Sequence, residues 1–336
     1  MRNITRALFT AYVANVALLN EVAAATDKFS VSPAVQQRLE QRLQESSEFL
    51  KLINIVPVIE QSGQVLGLDA YPHASRTNTA AGHRRQPVDA TSISAVNEYF
   101  CAKTDYDTYI PYAKLDAWAG HTDFEIKIRD LIVKSQALAR IMIGFNGTKV
   151  AVETDRAANP LLQDVNIGWL QKYRNHAPQN VLSAGKQGGE ILVGAGGDYG
   201  NLDALVYDAV NNLIDPIYRD DTRLRVMVGR GLVTNRHFPM LNSNSVPSEI
   251  LAVNTILGMD RIGGVQSMTV PYLAENAIFI QPLENLSIYY QESARRRLVR
   301  DEPEYDRVTN YESSNDAFVV ENYEAGCLIE NIQLVI

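Results

Sequence analysis

The sequence predicts an α+β fold built on one long helix, a projecting hairpin and a strand-rich C-terminal third. Three observations predict it. Phe124, Ile128, Leu131, Ile132, Leu138 and Met142 recur at helical spacing between Asp123 and Ile143, which makes a rod of roughly 30 Å at ~1.5 Å per residue. Two extended stretches, Leu52 to Glu60 and Glu98 to Tyr112, bracket a polar tract with hardly a large apolar residue. From Leu286 to Ile336 the patterns are mostly those of strands: Ser287 to Tyr290, Arg297 to Val299, Phe318 to Val320 and Cys327 to Ile329.

The elements follow in order. Ile4, Leu8, Val16 and Leu19 recur at helical spacing, so the first residues read as an amphipathic helix. Arg2, Arg6 and the small residues Ala23 to Ala25 give this region the look of a secretory leader, but Thr10, Tyr12 and Asn15 interrupt its apolar run. A second helix is expected from Pro33 to about Phe49, with Val35, Leu39 and Leu43 set among glutamines and glutamates and Ser32 as its cap. Leu52 to Glu60 and Val65 to Tyr71 read as strands. Between Pro72 and Asn97 lies a loop too long to be idle in a compact domain. With the aromatic stretch Tyr99, Phe100, Tyr106, Tyr109 and Tyr112 returning after it, strand out, polar tip and strand back make a long hairpin.

Thr122 to Glu125 form a capping box for the long helix, and Gly144 and Gly147 are expected to end it. A short helix is expected from Gly168 to Arg174. Gly185 to Gly200 is a glycine-rich break, with Gly194, Gly196 and Gly197 as a candidate hinge. Beyond it come helices Leu202 to Ile214 and Ser248 to Leu257, and strands Leu224 to Val228 and Ala277 to Ile280.

Composition and motifs argue against chemistry. The chain has 336 residues, 46% of them hydrophobic, and a formal net charge of -8. Such a charge repels nucleic-acid phosphates. Cys101 and Cys327 are too few for a disulfide framework or a zinc site. The histidines at 73, 83, 121, 176 and 237 form no ligand pair. Gly194 to Gly200 invites a dinucleotide-binding reading, but Tyr199 stands where its third glycine belongs. The catalytic serine elbow and the phosphate loop are absent, so neither an enzyme nor a cofactor is expected. No membrane span is expected either. The basic cluster Arg295, Arg296, Arg297 with Arg300 reads as a solvated or interface ion-pair strip rather than a nucleic-acid patch. Polar arms left in water lose ordering entropy for nothing, whereas arms laid on a neighbour recover apolar burial. The architecture therefore reads as that of an assembly protein.

Longer stretches carry a resemblance. They include Gln44-Glu45-Ser46-Ser47, Ile53-Asn54-Ile55-Val56-Pro57-Val58 and Gly168-Trp169-Leu170-Gln171-Lys172-Tyr173-Arg174-Asn175. Further on come Gly197-Asp198-Tyr199, Leu202-Asp203-Ala204-Leu205-Val206 and Leu283-Glu284-Asn285-Leu286-Ser287-Ile288-Tyr289-Tyr290. Across nearly the whole chain the sequence resembles the major capsid proteins of Peduovirus-type phages, contractile-tailed phages related to coliphage P2. Val181 to Val193 departs from that pattern.

The resemblance implies an HK97-type capsid fold and a shell subunit without enzymatic activity. It implies a removable segment (residues 1–28), an N-terminal arm (29–56) and an extended loop (57–113). A peripheral domain (114–198 and 281–336) would carry the long helix as its spine, with an axial domain at 199–280. The implied partners are further copies of the chain in pentamers and hexamers, a scaffold-protease and a portal protein. Packaged DNA would be near only non-specifically. Cleavage is expected near Lys28 and Phe29, and intersubunit contacts at Arg76, Arg84, Arg85, Arg295, Arg296 and Arg297. A nanocompartment shell of the same fold is the alternative, and a gene neighbourhood with terminase, portal and scaffold genes would exclude it. The covalent cross-link of some such capsids needs a loop lysine, and none lies between Leu52 and Ala102.

Overall fold

Proline at a first helical turn and a run of β-branched residues set the local structure of the N-terminal part. The computed structural model describes residues 1–65, 74–87, 98–121, 124–186, 188–232 and 261–335. It begins with helix α1 (Asn3–Leu19), strand β1 (Phe29–Ser30) and helix α2 (Pro33–Glu45), which has Pro33 in its first turn. Strands β2 (Asn54–Val58) and β3 (Ser62–Gln64) lead into the loop, and β4 (Glu98–Phe100), β5 (Ala102–Asp105) and β6 (Thr108–Pro111) lead out of it. Helix α3 (Tyr112–Trp118) precedes the long helix α4 (Phe124–Asn146), and α5 (Trp169–His176) follows. Next come β7 (Val181–Leu182), β8 (Ile191–Gly194), α6 (Leu202–Leu213) and β9 (Leu224–Val228). The remainder is β10 (Arg261–Ile262), β11 (Val265–Thr269), β12 (Ile278–Pro282), β13 (Leu286–Gln291), β14 (Arg296–Glu302), β15 (Arg307–Val320), β16 (Cys327–Ile329) and β17 (Ile332–Val335).

Two sheets organise these elements. The first runs β1-β14-β15-β13-β2, with β5 and β6 on the other edge of β15. Its pivot is β15, a 14-residue strand. Only its last three residues stood out in the sequence, because its earlier part carries buried polar residues. The second sheet runs β10-β11-β9-β12-β16-β7. Strands β8 and β17 pair in parallel, and β3 pairs with β4 as the base of the hairpin.

A shared core joins the two sheets. Val133, Ala137 and Ile141 of α4 pack with Phe49, Leu50, Met227, Phe279, Ile288 and Phe318. At its centre Trp169 is fully buried, and its ring stands edge-on to Phe145 at 5.4 Å and to Phe318 at 5.3 Å. Its indole N–H donates to the Ser287 carbonyl at 3.1 Å, so the polar end of the ring is satisfied. A second cluster sets α6 on the second sheet through Leu205, Val206 and Ala209 against Val226, Ile278 and Ile280.

Several expectations need correction. Helix α4 does not stop at Gly144 but runs to Asn146, immediately before Gly147; at 144 the Trp169 ring takes the space a side chain would occupy. Helix α2 ends at Glu45, and Gln36 and Glu40 are buried on the same face as Leu43. Helix α1 buries Thr5, Phe9, Tyr12, Val16 and Ala17, whereas Ile4 and Leu19 are 70% and 59% exposed. The face read from Ile4, Leu8, Val16 and Leu19 is therefore half right: Val16 is buried and Leu8 half-buried, but Ile4 and Leu19 at its ends stand in solvent. Tyr12 is amphipathic and buries its ring while its hydroxyl bonds Arg297. Nor does α1 reach freely outward, since it packs on Leu115, Ile128, Ile132, Val299 and Val308 of its own chain. The capping residues Thr122 and Asp123, the helix at Ser248 to Leu257 and most of the strand at Val65 to Tyr71 lie outside the described residues.

A Cβ added at Gly144 would stand 2.2 Å from the Trp169 ring. Gly144→Ala is therefore expected to destabilise the chain by about 1–3 kcal/mol through overpacking. Chemical denaturation of the full chain measures it, and an unchanged midpoint would contradict the packing described.

Candidate assembly site

The most constrained group of side chains is a buried charge cluster where α2, α4 and β15 meet. Helical spacing puts Gln136 and Arg140 one turn apart in line with Ile132, so a polar pair points into the core. Glu40 comes from α2 and Asp316 and Glu312 from β15, while Arg295 stands in the turn before β14. Arg140, Arg295 and Asp316 have no solvent exposure, and Glu40, Gln136 and Glu312 are almost as buried.

The bonding is dense. Arg140 holds Glu40 through both terminal nitrogens, one of them at 3.1 Å, and holds Asp316 at 3.1 and 3.2 Å. Arg295 donates to Glu312 at 2.7 Å, to Glu40 at 2.6 Å and to Gln136 at 2.6 Å. Gln136 donates in turn to Glu312 at 2.8 Å. Tyr106 and Ser314 donate to Asp316 at 2.7 and 2.6 Å. Burial alone would raise the Glu312 carboxyl, but Arg295 and Arg297 outweigh it and hold it at about 2. Burial likewise works against the charge on Arg140, and Asp316 and Glu40 overcome it and keep its pKa well above the ordinary value.

This cluster corrects one expected contact. Arg295 is not part of an intersubunit strip, because its guanidinium is fully buried and spent on Glu40, Gln136 and Glu312 of its own chain. Arg296 and Arg297 are half-buried. Arg296 donates to the Ser30 hydroxyl at 2.7 Å, and Arg297 donates to Asn310 and to the Tyr12 hydroxyl, each at 2.8 Å. The strip is thus largely the socket for the N-terminal residues. Glu40, Gln136 and Glu312 escaped sequence reasoning, although each polar helical residue falls on an apolar period.

The other predicted positions lie apart. Lys28 is exposed and Phe29 is buried, at the start of the β1 pairing with β14. Lys28, Asp105, Asp107, Arg296 and Arg297 line an open cleft of about 290 Å³ beside this junction. The linker before it is less open than expected: Ala25 is fully buried, and its carbonyl accepts from Val299 N–H at 3.0 Å. Arg76, Arg84 and Arg85 are all exposed. Gly194 ends β8 with φ 141°, where a Cβ would meet the Val335 carbonyl oxygen at 2.2 Å. Close approach of β17 demands that glycine. Gly196 has φ 78°, and Gly197 lies against the Leu192 carbonyl.

Among the described residues, no group of three or more histidine, cysteine or carboxylate side chains is placed to hold a metal ion. No described helix is long and apolar enough to cross a membrane. A long helix across a core shared by two sheets, with N-terminal residues locked onto that helix and its sheet, is the architecture of a structural subunit rather than of an enzyme pocket.

Comparison with known proteins gives the family. The model of the phage major capsid protein, P2 family, matches residues 8–332, and the chain belongs to that family. It is 48% identical to the capsid proteins of Escherichia phage P2 over 343 residues, covering 99% of this chain and 96% of the relative. It is 41% identical to the major capsid protein of Serratia phage KSP20, covering 99% of this chain and 97% of the relative. Among solved structures, a chain of the satellite phage P4 procapsid including size determination (Sid) protein is similar with a TM-score of 0.82 and 45% identity, over 100% of this chain and 99% of that one. The capsid of an empty GTA particle shares the fold, with a TM-score of 0.51 and 16% identity over 86% of this chain and 90% of that one. The protein is a phage major capsid protein, a structural component of the virion.

Removing one member of a buried ion cluster leaves the others unpaired. Glu40→Gln is expected to cost about 3–5 kcal/mol, whereas Glu48→Gln, which breaks the exposed pair with Lys51, should cost ~1 kcal/mol or less. Denaturation midpoints of the two variants measure the contrast, and equal losses would contradict it.

The depressed Glu312 carboxyl also sets a pH response. Its folded pKa of about 2 lies below its ordinary 4.5, so its stabilising contribution is present above 4.5 and is lost as pH falls towards 2. Thermal melts between pH 5 and 2 should therefore show a steeper loss for the native chain than for Glu312→Gln.

Proposed function

We propose that copies of this chain close as pentamers and hexamers into an icosahedral shell around the double-stranded DNA genome, assembled in the host cytoplasm. The observation that carries this reading is the whole-chain likeness to a procapsid subunit, at a TM-score of 0.82. The formal net charge of -8 supports it, since a wall that repels phosphate lets packed DNA stay mobile.

The working division is an arm at 29–56, an extended loop at 57–113, a peripheral domain at 114–198 and 281–336, and an axial domain at 199–280. In this reading the exposed loop arginines Arg76, Arg84 and Arg85, with Arg296 and Arg297, meet acidic residues of neighbouring copies. The glycines at 194, 196 and 197 let the axial domain turn against the peripheral domain as the shell expands. A scaffold-protease trims the chain near Lys28 and Phe29, and a portal protein occupies one vertex. With no lysine between Leu52 and Ala102, the mature shell is held without isopeptide bonds.

Purified particles test the reading. Electron micrographs of the expressed chain with its scaffold-protease should show closed shells with five-fold and six-fold clusters, and sheets or soluble monomer alone would refute it. Intact mass of the same shells, after boiling in detergent, should give one monomer-sized species starting near Phe29. A species starting at Met1 would remove the cleavage step, and a ladder resistant to reducing agent would remove the non-covalent one.

A further inference from the structure

Helix α1 carries two apolar faces, and its own chain covers only one. Thr5, Phe9, Tyr12, Val16 and Ala17 are buried against the rest of the molecule. On another face Ile4, Ala7, Ala11, Ala14 and Leu18 are all exposed. Ile4 and Leu18 are 70% and 77% exposed, and Leu19 beside them is 59% exposed. A helix lying on a globular surface ordinarily turns polar residues to that side. The five positions here follow one another at intervals of three, four, three and four residues, the spacing of a seam along which one helix meets another.

The ends of the helix say what meets it. Arg2 precedes α1 and Glu21 follows it, and both are exposed. Neither side chain has an ion-pair or hydrogen-bond partner among the described residues. No acidic residue lies in the first turn and no basic one in the last. Two copies of α1 laid parallel would set Arg2 against Arg2. Laid antiparallel, they set each Arg2 against the other's Glu21 and against the negative carbonyl end of the other helix. In such a seam Leu18 then lies over Ala7, a large side chain over a small one, with Ala11 over Ala14 at the centre and Ile4 beside Glu21.

We propose that α1 of one copy of the chain pairs antiparallel with α1 of a second copy through Ile4, Ala7, Ala11, Ala14 and Leu18. The contact is isologous, as a two-fold relation requires. A single pair of helices this short buries less than a stable two-protein interface needs. It is therefore weak alone and gains strength when copies are already held together in a shell. It belongs to the uncleaved chain and disappears if residues 1–28 are removed. The proposal rests on the shell reading above.

Disulfide capture in particles of the full-length chain tests it. Native Cys101 and Cys327 are fully buried and give a low background. Chains carrying Ala7→Cys and chains carrying Leu18→Cys, distinguished by size tags, are co-assembled with a cleavage-inactive form of the scaffold-protease and mildly oxidised. The expected product is a mixed dimer of the two variants, at least ten-fold above the homodimer that either variant gives alone. Homodimers of Ala7→Cys would mean parallel pairing, and normal shells with no mixed dimer would mean no seam. Either result overturns the proposal. Ala11→Cys with Ala14→Cys repeats the test should Leu18→Cys impair assembly. Arg2→Glu and Glu21→Arg should each lower the mixed-dimer yield several-fold, and the double variant should restore it. Loss without rescue also counts against the pairing. If the unmodified chain forms no particles, the shell reading itself fails and this proposal falls with it.

Discussion

The buried cluster of Arg140, Arg295, Glu40, Glu312 and Asp316 is the interaction on which the rest of the subunit depends. Taking such charges out of water is costly, and their mutual attraction offsets that cost only when every hydrogen-bonding position is filled. Here Gln136, Tyr106 and Ser314 fill the positions that the ion pairs leave open. Apolar side chains would tolerate a shift of register between the packed elements. Bidentate arginine geometry does not. The cluster therefore fixes where α2 lies along α4, and where both lie along β15.

That placement propagates outward. Strand β15 takes β14 and β13 on one edge and β5 and β6 on the other, so its position sets both the base of the hairpin and the socket of the N-terminal residues. Arg297 leaves the same sheet to reach Tyr12 of α1. Trp169 holds the C-terminal half of α4 against the sheet in the way the charge cluster holds its middle. A subunit braced at these points can present a long loop and an arm without deforming its core. That division of labour suits a protein of the P2 capsid family, whose work is to contact other copies.

Much of this was legible in the sequence. The 3.6-residue period of Phe124, Ile128 and Ile132 marked α4, and the two extended stretches on either side of the polar tract marked β2 and β4 to β6. Runs such as Gly168 to Asn175 marked the family. The charge cluster was not legible, because Glu40 and Arg140 are 100 residues apart and Arg295 lies a further 155 on. Read locally, Glu40 is one acid in a polar stretch, and Arg295 is the first of three arginines in a row.

The sequence by itself determined which residues share a face, since helical and strand periods are local properties of the chain. It determined that α1 has apolar residues on more than one side. Only the tertiary structure decided which side is covered: Phe9, Tyr12 and Val16 fit the groove between α4 and the β14–β15 pair, leaving Ile4 and Leu18 in solvent. Likewise, the sequence supplied the arginines at 295, 296 and 297. The fold decided that the first is sealed in the core while the next two hold the N-terminal residues. The reason is the same in both cases. Burial depends on which distant surface arrives opposite, and local periodicity carries no information about that.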